Sequence, residues 1–146
     1  MRDFNVNLEF NMSRSLANQR RLAAQRQAYK CFYCGLPMWE AAPSAFAAKF
    51  NLSLAQAALL QCTAEHLHPR SNGGSDAISN IVAACHFCNR TRHTAAKPLS
   101  PSKYETHVKT RMAKGGWLAG ILPPSLSSQN PCNEQKNGRG QLGNSR

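Results

Sequence analysis

The spacing of apolar and polar positions changes period several times along this chain, and each change marks an element. Ser13 to Lys30 (SRSLANQRRLAAQRQAYK) has no Gly or Pro and is rich in Ala, Gln and Arg, which predicts a helix. Its apolar stripe is thin (Leu16, Leu22, Ala23, Ala24), and Arg14, Arg20, Arg21, Arg26 and Lys30 make it basic nearly all round. Residues 44–60 read as two short helices. Ser53 is a natural N-cap for the second, with Leu54, Ala57, Ala58 and Gln61 as its core face. From Gln61 the period shortens to that of a strand (QCTAEHLH), which Pro69 ends. A turn-rich loop with Gly73-Gly74 follows, then a second strand, SNIVAAC, and a cysteine knuckle that opens a helix. Pro98 interrupts that helix. Ser100-Pro101 starts another, with Tyr104, Val108 and Met112 at i, i+4, i+8. Ser102 and Glu105 offer an alternative capping box for it. Gly115-Gly116 stops that helix, and Trp117, Leu118 and Ile121 are expected to close over the core. The predicted order is strand, loop, strand, helix, flanked by helices: an α+β domain.

Composition sharpens this picture. The 146 residues suit one compact domain with tails. Eighteen Lys and Arg against seven Asp and Glu give a formal charge of +11, which suits a polyanion such as nucleic acid. No run approaches the roughly 20 apolar residues of a membrane span, and the N-terminus lacks the apolar core of a secretory signal. A cytoplasmic protein is therefore expected, with no membrane partner. From Pro123 the chain is Pro, Ser, Asn, Gln and Gly, a composition that predicts a disordered tail over 123–146.

Six cysteines in a reducing compartment point to metal rather than to disulfides. Cys31-x-x-Cys34 and Cys85-x-x-Cys88 each bring two thiolates to one ion from a tight knuckle, and Gly35 relieves the backbone after the first. Four such thiolates make a closed, structural zinc site that stabilises the fold and does no chemistry. His86, inside the second knuckle, is a competing donor, although Cys88 keeps the standard spacing. The helical stretch 36–60 between the pairs must then leave and return as an insertion. Cys62 is read as a buried strand residue, and Cys132 lies in the tail.

A second cluster lies outside that closed site. The hairpin and the following helix can bring Glu65, His66 and Asn89 together. A carboxylate and an amide oxygen are hard ligands for a magnesium-like ion with open positions for phosphate and water. His66 beside them can accept the proton of an attacking water, and one ion with one base suffices for phosphodiester hydrolysis.

From CFYCG through TAEHLHPRSNGGSDAISNIVAACHFCNRTR, roughly Cys31 to Arg92, the sequence resembles the HNH endonuclease family, in particular its four-cysteine zinc members. The resemblance implies a ββα-metal, treble-clef-like finger around a catalytic Mg2+ or Mn2+. It makes His66 the general base and Glu65, often Asp in the family, a metal ligand. Asn80 becomes the residue that stabilises the hairpin loop and so aims the base, and Asn89 the second ligand. Arg70, Arg90 and Arg92 become candidates for nucleic-acid contact. His68, His93 and His107 are read as solvated. The expected organisation is a basic helical segment over 1–30, a nuclease domain over 31–122 with the 36–60 insertion, and the tail. The expected activity is metal-dependent hydrolysis of DNA without a small-molecule cofactor. One site cuts one strand per event, so a double-strand break requires a homodimer or two successive events. Two other readings remain: a zinc-stabilised DNA-binding module that does not cut, and a nuclease acting on RNA.

Overall fold

In the computed structural model, residues 15–127 are described; Arg14, Cys132 and the expected tail beyond 127 lie outside them. The elements run α1 (Leu16–Arg26), α2 (Pro43–Phe50), α3 (Leu54–Leu59), β1 (Cys62–His66), a 3-10 turn (Arg70–Asn72), β2 (Ile81–Cys85), α4 (His86–Thr94), α5 (Pro101–Ala113) and α6 (Pro124–Ser127). The fold is α+β. β1 and β2 pair antiparallel, with Cys62 opposite Cys85 and His66 opposite Ile81, and α4 follows β2 without a linker. This is the predicted strand–loop–strand–helix order, surrounded by helices.

α1 is built into the core rather than appended to it. Its Ala23 and Ala24 are fully buried, and such small side chains let the helix backbone lie close to the hairpin. Just past its end, the Gln27 amide donates to the Ala83 carbonyl at 2.8 Å and accepts from the Ala83 N–H at 2.9 Å. A side chain thus reaches both outward-facing backbone groups of a β2 residue; the Ala83 carbonyl also accepts from the Phe32 N–H at 3.0 Å, whereas its N–H depends on Gln27.

The insertion departs and returns at one place. The Trp39 N–H donates to the Leu60 carbonyl, and the Cys62 N–H donates to the Trp39 carbonyl. Ser53 caps α3 in a full capping box with Gln56: the Ser53 hydroxyl accepts from the Gln56 N–H, and the Gln56 side chain accepts from the Ser53 N–H. The expected core face of α3 is corrected. Only Ala57 is buried there, while Leu54 is 62% exposed and Ala58 and Gln61 also face solvent. Six residues give this helix little more than one inward position, and Leu60, just past its end, fills the core instead.

α5 begins at Ser100-Pro101 and buries Tyr104, Val108 and Met112 along one stripe, as the spacing predicts. Trp117, Leu118, Leu122 and Leu126 complete this side of the core. Ile121, expected inward, is exposed. Leu118 adopts a left-handed conformation (φ 56°), and the turn that follows directs Leu122 inward in its place. The expected unstructured tail is likewise corrected at its start, where residues 124–127 form α6 and Leu126 is buried. Among the described residues no helix is long and apolar enough to cross a membrane.

Candidate functional site

The two cysteine knuckles meet at the junction of β2 and α4. In the first, the Gly35 N–H closes onto the Cys31 carbonyl at 2.9 Å while Gly35 takes φ 72°, a conformation that glycine adopts without a Cβ clash. In the second, Cys85 is also the N-cap of α4, its Sγ accepting from the Cys88 N–H at 3.4 Å. All four sulfurs are buried and lie within 4.8 Å of one another. Cys34 and Cys85 Sγ are 3.9 Å apart. Zinc–sulfur bonds of about 2.3 Å require tetrahedron edges of about 3.8 Å, so these thiols fit a structural ion such as zinc.

The four thiols share protons with one another. Burial would push the Cys31 thiol up, but hydrogen bonds from Cys34, Cys85 and Cys88 hold it well below its ordinary range. Cys85 is raised, chiefly because it donates to Cys31. Trp117 Nε1–H donates to Cys88 Sγ at 3.4 Å, and the Tyr104 hydroxyl donates to the Cys88 carbonyl at 2.8 Å. Such outer contacts orient ligands and tune their basicity. His86 is half-buried and stands outside this four-sulfur group. Cys62, buried and also outside it, has its thiol pushed up to about 11, mainly by burial.

Glu65 and His66 are consecutive on β1, so their side chains leave opposite faces of the hairpin. Glu65 turns inward toward α4 and is 1% exposed. Its Oε1 accepts from the Tyr33 hydroxyl at 2.9 Å and from Arg92 Nη1, and its Oε2 lies 3.0 Å from His93 Nε2. Burial and the Glu65 charge together raise the Tyr33 hydroxyl well above its ordinary value, so it stays protonated and donating. Asn89, one turn before His93 on α4, donates from Nδ2 to Thr63 Oγ1 (2.9 Å) and to the Ala64 carbonyl (3.1 Å). One carboxylate oxygen and one imidazole nitrogen thus meet where β1 faces α4, and the Asn89 amide holds the preceding part of β1 from one turn earlier on α4.

His93 was expected to be solvated, and the structure corrects this by setting it against Glu65. The signal was available, because Asn89 and His93 are four residues apart and share a helix face.

Arg92 was expected at a phosphate, yet its guanidinium faces inward. Besides Glu65 it donates to the carbonyls of Leu99 (3.2 Å), His66 (3.4 Å) and Leu67 (3.5 Å). Arg70 turns to Asp76, donating from Nε to Oδ1 at 3.0 Å and from Nη2 to Oδ2. Arg90 is exposed on α4.

On the other face, His66 Nε2 lies 2.7 Å from Asp76 Oδ1, a partner that the sequence reading passed over. The hydrogen bond from His66, and then those from Arg70, hold the Asp76 carboxyl below the usual carboxylate range. Asn80 spans the intervening loop. It donates to the carbonyls of Ser75 (2.7 Å) and His68 (3.0 Å) and accepts from the His68 N–H (2.8 Å). His68 itself bonds the Asn72 carbonyl through Nε2.

These features define a class: a ββα finger stapled by a four-cysteine metal-binding group, with a second cluster of ionisable side chains beside the staple. Within it, residues 49–95 match the family model described as HNH endonuclease. That stretch runs from the end of α2 to just past α4 and carries Glu65, His66, Asn80, the second cysteine pair and Asn89. Over that stretch the chain is similar to HNH endonucleases, a likeness that points toward nucleic acid. Neither curated proteins nor solved structures give a significant match.

Proposed function

We propose that this protein is a metal-dependent endonuclease that hydrolyses phosphodiester bonds in DNA. The observation that carries the reading is the Glu65–His93 contact where β1 meets α4, with Asn89 one turn before His93 on the same helix and His66 next to Glu65 on β1. Glu65 Oε1 is taken by Tyr33 and Arg92 and Oε2 faces His93 Nε2, so an ion bound here would take the place of the Glu65–His93 hydrogen bond. Together with the Asn89 amide and the His93 imidazole, Oε2 fits Mg2+ or Mn2+ with positions left for phosphate and water. When bound, that ion would polarise the scissile phosphate and offset the charge that develops on it.

The protein's own side chains supply the rest. Tyr33 and Arg92 keep the Glu65 carboxylate in one orientation. His66 accepts the proton of a water as its oxygen bonds to phosphorus, and the bond to the leaving oxygen breaks. Exposed cations such as Arg90 supply sequence-independent grip on the backbone.

One observation favours a second reading, a zinc-stapled DNA-binding module without catalysis: Glu65 is already neutralised by a buried arginine. Incubation with supercoiled plasmid and Mg2+ or Mn2+ separates the two. We expect nicked or linear product from the parent, none with chelator, and a loss of about 10²–10⁴-fold in the rate for His66→Ala. Binding without cutting, with either ion, overturns the endonuclease reading. Faster cleavage of a matched RNA would move the substrate to RNA.

A further inference from the structure

We infer that Asp76 is a positioning residue for His66: its carboxylate accepts a hydrogen bond from Nε2–H and so reserves Nδ1 as the nitrogen that accepts a proton from water. The inference rests on the reading of His66 as the base.

A neutral imidazole carries one N–H and one lone pair, and the partner of one nitrogen decides which is which. His66 Nε2 has two neighbours, Asp76 Oδ1 at 2.7 Å and Arg70 Nε at 3.3 Å. A guanidinium N–H can only donate, so the two neighbours ask for opposite tautomers. The carboxylate contact is shorter, it is a strong acceptor, and Arg70 Nε has Asp76 Oδ1 as a better partner at 3.0 Å. Nε2 therefore carries the proton.

Asp76 is itself held. Arg70, from the 3-10 turn, donates to both of its oxygens, and Asn80 fixes the carbonyl of neighbouring Ser75. Arg70 also solves an electrostatic problem. A lone carboxylate beside the base would repel the phosphate backbone, whereas the Asp76–Arg70 pair adds no net charge. After the proton is taken, the same carboxylate stabilises the imidazolium.

Asp76→Asn and Asp76→Ala test this in opposite directions from a merely structural role. Asn preserves the shape of the loop better than Ala does. However, the single Asn oxygen cannot accept from both Arg70 and His66: with Nη2 holding it, the NH2 stands at the Oδ1 position against His66 Nε2 and Arg70 Nε, so Nε2–H loses its acceptor and the Nδ1–H tautomer is favoured. We expect kcat on plasmid DNA to fall at least as far for Asp76→Asn as for Asp76→Ala, by about 10²-fold or more, with KM little changed. In 15N-labelled protein at alkaline pH, where the ring is neutral, His66 should read as Nε2–H in the parent and Nδ1–H in Asp76→Asn. A parental Nδ1–H signal, or parental kcat in Asp76→Asn, overturns the inference. A parent that cuts no DNA overturns the nuclease reading instead, and the tautomer measurement still decides whether Asp76 holds Nε2.

Discussion

Arg92 and Glu65 form an ion pair with 3% and 1% of their side chains exposed. The pair joins the end of β1 to α4. Through the Leu99 carbonyl, Arg92 also ties in the segment that leads to α5. Breaking such a pair strands the surviving charge in a low-dielectric interior. Arg92→Met should therefore destabilise the protein by about 3–5 kcal/mol. Arg90→Ala, on the exposed side of the same helix, should change stability by less than about 0.5 kcal/mol. Urea denaturation of the two variants checks this, and equal stabilities would mean that Glu65 finds water or another cation when Arg92 is gone.

Cys31→Ser and Cys88→Ser each remove one of four thiolates from a group that doubles as the N-cap of α4 and packs against Trp117. Structural zinc contributes directly to folding, so both variants should lose the metal and most of their native circular dichroism. The parent should carry about one zinc per chain by elemental analysis. A folded parent without bound metal would refute this.

Gly74 is placed where a side chain has no room. A Cβ there would come within 1.8 Å of the His68 carbonyl oxygen and 2.9 Å of the Pro69 oxygen. Gly73, at φ 87°, has open space around it and needs glycine only for its backbone conformation. Gly73→Ala should cost about 1–2 kcal/mol, the left-handed penalty, whereas Gly74→Ala must also displace backbone and should cost more. Because this loop carries Arg70 and Asp76 to His66, Gly74→Ala should also slow cleavage more than Gly73→Ala does. Thermal melts and plasmid nicking on the same preparations measure both effects.

The formal charge of +11 should appear as salt dependence. If about 6 phosphates are neutralised, affinity for duplex DNA should fall roughly a hundredfold or more between about 50 and 200 mM salt. Fluorescence anisotropy with a labelled duplex reads this slope. A flat response would reduce the excess charge to a solvated surface.

Local chemistry is written directly in this chain. The Cys-x-x-Cys spacings, the Gly73-Gly74 turn, the Ser53 cap and the Tyr104, Val108, Met112 stripe each depend on residues within one or two turns of one another. Sequence alone therefore determined the strand–loop–strand–helix order and the four-sulfur group. Tertiary packing decided which partner each long polar side chain met. Arg92 and Arg70 read as free cations for phosphate, but Glu65 lies 27 residues from Arg92 and Asp76 six from Arg70, and neither separation follows a helix or strand period. His93 and Asp76 gained their neighbours in the same way, as did Leu126, which lies beyond the last long helix. A flexible side chain settles where burial leaves a charge or an apolar surface to be satisfied, and that place exists only once the hairpin, α1 and α4 have closed on one another.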